Sequence, residues 1–309
     1  MHNYILYLLT VLIWGSTWIA INYQLGEVAP QVSIFYRFSL AALIMFAYCR
    51  FKKYNLTFKP SQHVYLLLFG LFLFSGNYYF LYQAQTYINS ALASIVFSTL
   101  LLFNIVNTRI WFSTIIDNNV YIGGGIGLLG IVILFWPSIN DTQLSQSTLV
   151  GISLGLIGVI FASFGNMMSI KNVQQKIPLL PATAWGMLYG TVGMLVVIII
   201  EGKSFTFVYT PYYIGSLLYL SLFGSVLAFA CYLTLLTRIG AHKASYANIM
   251  FPAVAVVIST LVEGFSWNRY VVIGLILMLV GNIMVLIKPS TCTKKRSKTK
   301  LIPTRIKYR

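Results

Sequence analysis

Shifted by 151 residues, this chain matches itself. Pro30 falls on Pro181, Ala93-Ser94 on Ala244-Ser245, and Gly123 and Gly130 on Gly274 and Gly281. Near the start the register slips slightly, and Trp14-Gly15 lies opposite Phe164-Gly165. Each copy divides into five apolar segments of membrane-spanning length. Five is odd, so the second copy must enter a bilayer upside down relative to the first. The duplication therefore predicts two pseudosymmetric five-helix halves meeting face to face. Inverted repeats are a signature of secondary transporters.

Composition identifies the solvent. Hydrophobic residues make up 58% of the 309 positions and charged residues 8%, where a soluble domain carries about 25% charged. Hydrocarbon offers backbone N–H and C=O groups no partner, so each span should be a self-satisfied helix. The expected fold is an all-α polytopic membrane protein, with ten transmembrane helices as two inverted five-helix repeats. Spans are expected near 4–24, 31–50, 63–84, 88–111, 120–136, 148–170, 181–200, 211–236, 243–263 and 268–287. They group into a first repeat over 4–136, an inverted second repeat over 148–287 and a basic tail over 288–309. The runs are too long for barrel strands. The first of them, from Tyr4, lacks the basic start of a cleavable signal peptide.

Charge sets the orientation. With the N-terminus inside and ten alternating spans, 18 of the 21 Lys and Arg residues fall on the cytoplasmic side. Only Lys203 and Arg269 fall outside, and Arg37 lies within a span. Inner loops are enriched in Lys and Arg, so both termini are expected in the cytoplasm of a cell-membrane protein. The tail from Lys294 to Arg309 has no acidic residue. It reads as an anchor on anionic lipid headgroups and not as a nucleic-acid contact, since no base-stacking platform accompanies it.

Arg37 is the single charge inside the membrane. Its cost there requires that it face protein or water. It is either an anion contact in a pathway or a pin between helices. The five carboxylates, Glu27, Asp117, Asp141, Glu201 and Glu263, all lie at span ends or in loops, as do His2, His63 and His242. A deep proton relay is therefore not expected. Buried amides, hydroxyls and aromatics within spans are cavity candidates, because each needs a partner. They are Trp14, Ser16, Thr17, Asn22, Asn77, Tyr78, Tyr82, Ser98, Asn104, Asn166, Tyr232 and Asn248, with Asn77, Asn166 and Asn248 favoured as a set. Pro252 falls in mid-helix and is a kink or gating candidate. Gly123/Gly127, Gly151/Gly155 and Gly186/Gly190 have the spacing that lets helices approach closely. Cys49, Cys231 and Cys292 form no CxxC or metal spacing, and neither a metal nor a cofactor is expected.

From 4 to 287 the chain resembles the drug/metabolite transporter superfamily in its EamA-type ten-helix branch. The resemblance rests on Leu12-Ile13-Trp14-Gly15-Ser16-Thr17, Tyr36-Arg37-Phe38, Ala91-Leu92-Ala93-Ser94 with Ser98-Thr99, and Gly240-Ala241 through Pro252 to Glu263, Gly274 and Gly281. The first half departs from the family pattern, with Leu101 opposite Pro252 and Phe112 opposite Glu263. The resemblance implies transport of small metabolites. The expected activity is alternating-access transport of amino acids or related compounds, in the direction of efflux, by a protein that is not an enzyme. An intramembrane enzyme, a channel and a non-transporting scaffold are the alternatives. No HExxH, GxSxG or nucleotide-binding GxxxxGK[ST] motif occurs.

Overall fold

The computed structural model describes residues 3–113, 118–134, 136, 146–239 and 246–286. Asp117, Asp141, His2, His242, Cys292 and the tail from 288 lie outside them, as do the side chains of Asn248 and Pro252.

Among the described residues, ten helical rods follow one another. They are α1 (Asn3–Asn22), α2 (Pro30–Phe51), α3 (Pro60–Gln85), α4 (Ser90–Phe112), α5 (Asn118–Leu134), α6 (Gln146–Gln174), α7 (Leu179–Ile200), α8 (Pro211–Tyr219 through Ala228–Ile239), α9 (Tyr246–Val262) and α10 (Arg269–Leu286). The fold is the all-α polytopic one expected. Seven of the rods are long and apolar enough to cross a membrane, namely α1 to α4 and α6 to α8. The other three hold 17, 17 and 18 residues. Large apolar side chains such as Leu43, Ile200 and Leu261 point outward, as a hydrocarbon surrounding requires.

Local chemistry sets the helix ends. Proline opens α2, α3 and α8, where its missing N–H is no loss. Asn89 caps α4 by accepting from Leu92 N at 2.9 Å, and Asn268 caps α10 by accepting from Val271 N at 2.9 Å. Gly202 ends α7 at φ +63°. There it donates to Ile199 O at 3.2 Å, and Lys203 N donates to Ile198 O at 3.0 Å. A Cβ would strain that left-handed turn.

The third and eighth helices each widen into a π segment, at Leu71–Gly76 and Leu220–Leu227. The 151-residue offset carries 71–76 onto 222–227, inside the second segment. The first packs on α6 and α7, and the second on α1 and α2, their repeat equivalents.

Between α5 and α10 the duplication becomes a contact. A Cβ on Gly130 would lie 2.7 Å from Gly274 O and 2.9 Å from Met278 N. A Cβ on Gly281 would collide with Gly123 O and lie 2.6 Å from Gly127 N. The offset exchanges Gly123 with Gly274 and Gly130 with Gly281, so the two contacts are one contact seen twice. That is the behaviour of residues flanking a pseudo-twofold axis.

The largest core cluster joins α2, α3, α7 and α8 around Phe38, Phe74, Met187, Met194 and Leu220. The three described carboxylates, Glu27, Glu201 and Glu263, all lie beyond the C-terminal ends of α1, α7 and α9. They define an acidic end of the bundle. Arg50, Lys52, Lys53, Lys59, Arg109, Lys171 and Lys176 mark the opposite, basic end.

Candidate functional site

Arg37 lies on the second turn of α2 and is 1% exposed. Its Nε donates to Ser225 Oγ at 3.1 Å, and its Nη1 donates to Tyr82 Oη at 3.3 Å. The guanidinium carbon sits 4.6 Å from the centre of the Tyr78 ring and 5.1 Å from that of Phe38. Such cation–π contacts strengthen as water is excluded. Among the described residues no carboxylate approaches it. A cation held only by hydroxyls and aromatic faces keeps its positive charge uncancelled.

The π segment of α8 builds the other wall. Ser221 Oγ donates to Arg37 O at 3.1 Å, so one segment grips both the backbone and the side chain of Arg37. Gly224 sits between the two serines. A Cβ there would lie 2.9 Å from Thr17 Cγ2 and 3.4 Å from Arg37 Nη2. Gly224 therefore lets the segment lie close against Thr17 and the Nη2 end of the fork, where a side chain would clash. The Gly224 carbonyl accepts from Trp14 Nε1 at 3.2 Å. π bulges inside α-helices are frequent at functional sites, and this one places two hydroxyls, a glycine and a carbonyl at the joint between the halves.

Aromatic rings continue the wall from Trp14. Its ring centre lies 5.0 Å from Tyr232, 5.3 Å from Phe229 and 6.4 Å from Phe251. The structure thus brings Trp14, Thr17, Arg37, Tyr78, Tyr82 and Tyr232 together. Ser16 borders the group, sharing a 2.6 Å hydrogen bond with Tyr219.

The remaining candidates go elsewhere. Asn77 donates to Leu73 O at 3.2 Å, and its own carbonyl lies against Gly158 of α6. Asn166 donates to Asn104 Oδ1 at 3.2 Å across the α4–α6 contact. Ser98 turns back onto Ile95 O at 2.7 Å. Asn22 reaches Glu263 at the acidic end. For Asn248 and Pro252 only the backbone is described, and α9 runs unbroken through both. Ser221, Gly224 and Ser225 are not singled out by the sequence. Their signal is a Ser-x-x-Gly-Ser run of small residues inside an otherwise bulky apolar span.

Comparison with known proteins follows the same architecture. The profile of the EamA-like transporter family matches residues 2–136 and 149–287. The chain is 23% identical over 285 residues to protein PagO of Salmonella typhimurium, covering 92% of each. It is 27% identical over 290 residues to an inner membrane transporter of Escherichia coli K12, YedA, itself described as uncharacterized, covering 90% of each. A solved crystal structure superposes with a TM-score of 0.66 at 14% identity, covering 91% of this chain and 95% of the other. That likeness speaks for the fold.

Proposed function

The chain belongs to the EamA-like transporter family, a multi-pass membrane transporter by that membership, and we propose that it carries small carboxylate-bearing metabolites, amino acids or related compounds, by alternating access between its halves. One observation carries the reading: a buried guanidinium with no acidic partner among the described residues, held by neutral groups from both halves. A substrate carboxylate is the missing anion. Planar, bidentate pairing with Arg supplies both energy and orientation, and Nη2 takes no part in the bonds to Ser225 and Tyr82. The Trp14, Phe229 and Tyr232 rings offer an apolar wall for the rest of the molecule.

Rocking of the halves about this joint would expose it to each side in turn. We assign the acidic end to the outside and both termini to the cytoplasm, which the concentration of basic residues at the opposite end supports. Efflux is the proposed direction. Glu201 and Glu263 tie the halves together at the acidic end.

Counterflow in proteoliposomes tests the reading. Vesicles loaded with a mixture of unlabelled amino acids should accumulate at least one labelled member. Arg37→Gln should reduce that exchange by roughly 100-fold, the worth of about 3 kcal/mol in charge-assisted bonds. Exchange at the wild-type rate by folded Arg37→Gln protein would refute the role given to Arg37.

A further inference from the structure

A cavity of about 530 Å³ opens at the acidic end between α1, α3 and α9. Asn22, Tyr23, Gln85, Asn89 and Glu263 line it. Glu263 Oε1 accepts from Asn22 Nδ2 at 3.0 Å and from Ser90 N at 3.4 Å. Its Oε2 accepts from Ser90 Oγ at 2.5 Å and from the Ser259 hydroxyl. All these donors are neutral. Among the described residues no basic side chain pairs with Glu263. Gln85 lines the same cavity, is 6% exposed, and has no hydrogen-bond partner for either amide atom among the described residues. An anion without a cation and a buried amide without a partner thus share one cavity.

We propose that this cavity is a second binding site, which takes the primary ammonium group of a small solute between the Glu263 carboxylate and the Gln85 amide oxygen. An ammonium brings three donors and no acceptor: the Gln85 oxygen lacks a donor, and Glu263, bonded only by neutral donors, lacks a cation. Its bonds to a carboxylate are charge-assisted and roughly twice as strong as those of neutral donors. It therefore competes with Asn22 and Ser90 for Glu263. Those two residues tie α1 and α4 to α9, so occupation of the site loosens the acidic end. A ligand shifts such an equilibrium only by its differential affinity, and the displaced hydrogen bonds supply that difference.

The two sites share α3. Gln85 follows Tyr82 by three residues on the same helical face, about 4.5 Å along the axis, and Tyr82 bonds Arg37. An ammonium at Glu263 and a carboxylate at Arg37 suit the two ends of zwitterionic solutes. The link between binding and opening rests on the transporter reading; the binding itself does not.

Ethylammonium is the probe and acetate the control. Full-length protein in lipid nanodiscs, with its native cysteines replaced by alanine, carries Tyr87→Cys at the cavity rim, labelled with an environment-sensitive fluorophore. Ethylammonium should give a saturable change and acetate none. Glu263→Gln should weaken the ethylammonium response by at least about tenfold, and Gln85→Leu by a smaller factor. Arg37→Gln should leave it unchanged, so failure of the carboxylate reading and failure of this one are told apart. Melting curves without ligand identify any variant that has merely unfolded. No saturable response in the parent protein, or an equal one in folded Glu263→Gln, overturns the proposal.

Discussion

Arg37 on α2 donates to Ser225 on α8 at 3.1 Å, so the one buried charge among the described residues is fixed by a hydroxyl from the opposite half. The 151-residue offset maps this pair onto Leu188 and Phe74. There the equivalent joint is dry: Phe74 lies against Gly186 and Gly190 and packs edge-on to Phe38 at 5.3 Å. Duplication provided two joints of the same shape, and only one acquired polar chemistry. The proposed carboxylate site is accordingly single, although the architecture is double.

Removing the hydroxyl should weaken the site without dismantling it. Ser225→Ala deletes one hydrogen bond to a charged donor, worth about 1.5–3 kcal/mol, and leaves the Tyr82 bond and both ring contacts in place. The expected result is a rise in the half-saturating substrate concentration of roughly tenfold or more with protein still folded. Ser225→Thr keeps the hydroxyl and should retain most of the affinity. Saturation curves in proteoliposomes for the two variants decide the point.

Gly224 makes a sharper claim, because its neighbour can be cut back. Gly224→Ala puts a methyl 2.9 Å from Thr17 Cγ2, inside van der Waals contact, and 3.4 Å from Arg37 Nη2. Overpacking of this kind costs about 1–3 kcal/mol and crowds the Nη2 end of the fork. Thr17→Ser removes the opposing methyl. The double variant should recover most of the melting temperature but not the flux, since the methyl still crowds Arg37 Nη2. Recovery of both would mean that Gly224 serves packing alone.

The apolar helices and the intramembrane Arg37 were legible because each rests on a strong, local signal: a long apolar run, or one charge where charge is costly. The partners of Arg37 were not. Ser221 and Ser225 look like ordinary serines bonded back to their own helix, and only the π turn aims them at α2. Nothing in the periodicity of Leu71–Gly76 or Leu220–Leu227 announces a wider turn, since spans apolar on all sides give no face to count from. The partner of Asn166 was not legible for a related reason. Asn166 donates to Asn104 Oδ1 at 3.2 Å, a pairing between distant residues to which spacing within one span is blind.

The α5–α10 seam separates glycines by duty. Gly281→Ala sets a methyl against Gly123 O and Gly127 N, and Gly130→Ala sets one against Gly274 O and Met278 N. These atoms are backbone and cannot turn aside, so each variant must push the helices apart. Both should lower stability by a similar amount, about 1–3 kcal/mol, because the two sites are repeat equivalents. A methyl on Gly125 would meet nothing within 4 Å, and Gly125→Ala should be neutral or stabilising by up to about 1 kcal/mol through helix propensity. Thermal denaturation of the three variants in detergent checks the order.

Glu201 is a second tie between the halves at the acidic end. It accepts from the Gln31 side chain on α2 and from Tyr79 Oη on α3 at 2.9 Å. One carboxylate at the end of α7 thus holds two helices of the other half. Tyr79→Phe keeps the ring and deletes a single bond at a partly solvated position, where the discount for water leaves roughly 1 kcal/mol. The open form should then gain about threefold to tenfold in population. Val32, 0% exposed on α2 just below Gln31, offers a reporter. Val32→Cys should react faster with a membrane-impermeant maleimide in the Tyr79→Phe background, and faster still with Glu201→Gln. Trp185→Phe, which loses the bond to Leu56 O at the basic end, should leave that rate unchanged. Equal labelling in all backgrounds would show that the Glu201 contact takes no part in closure.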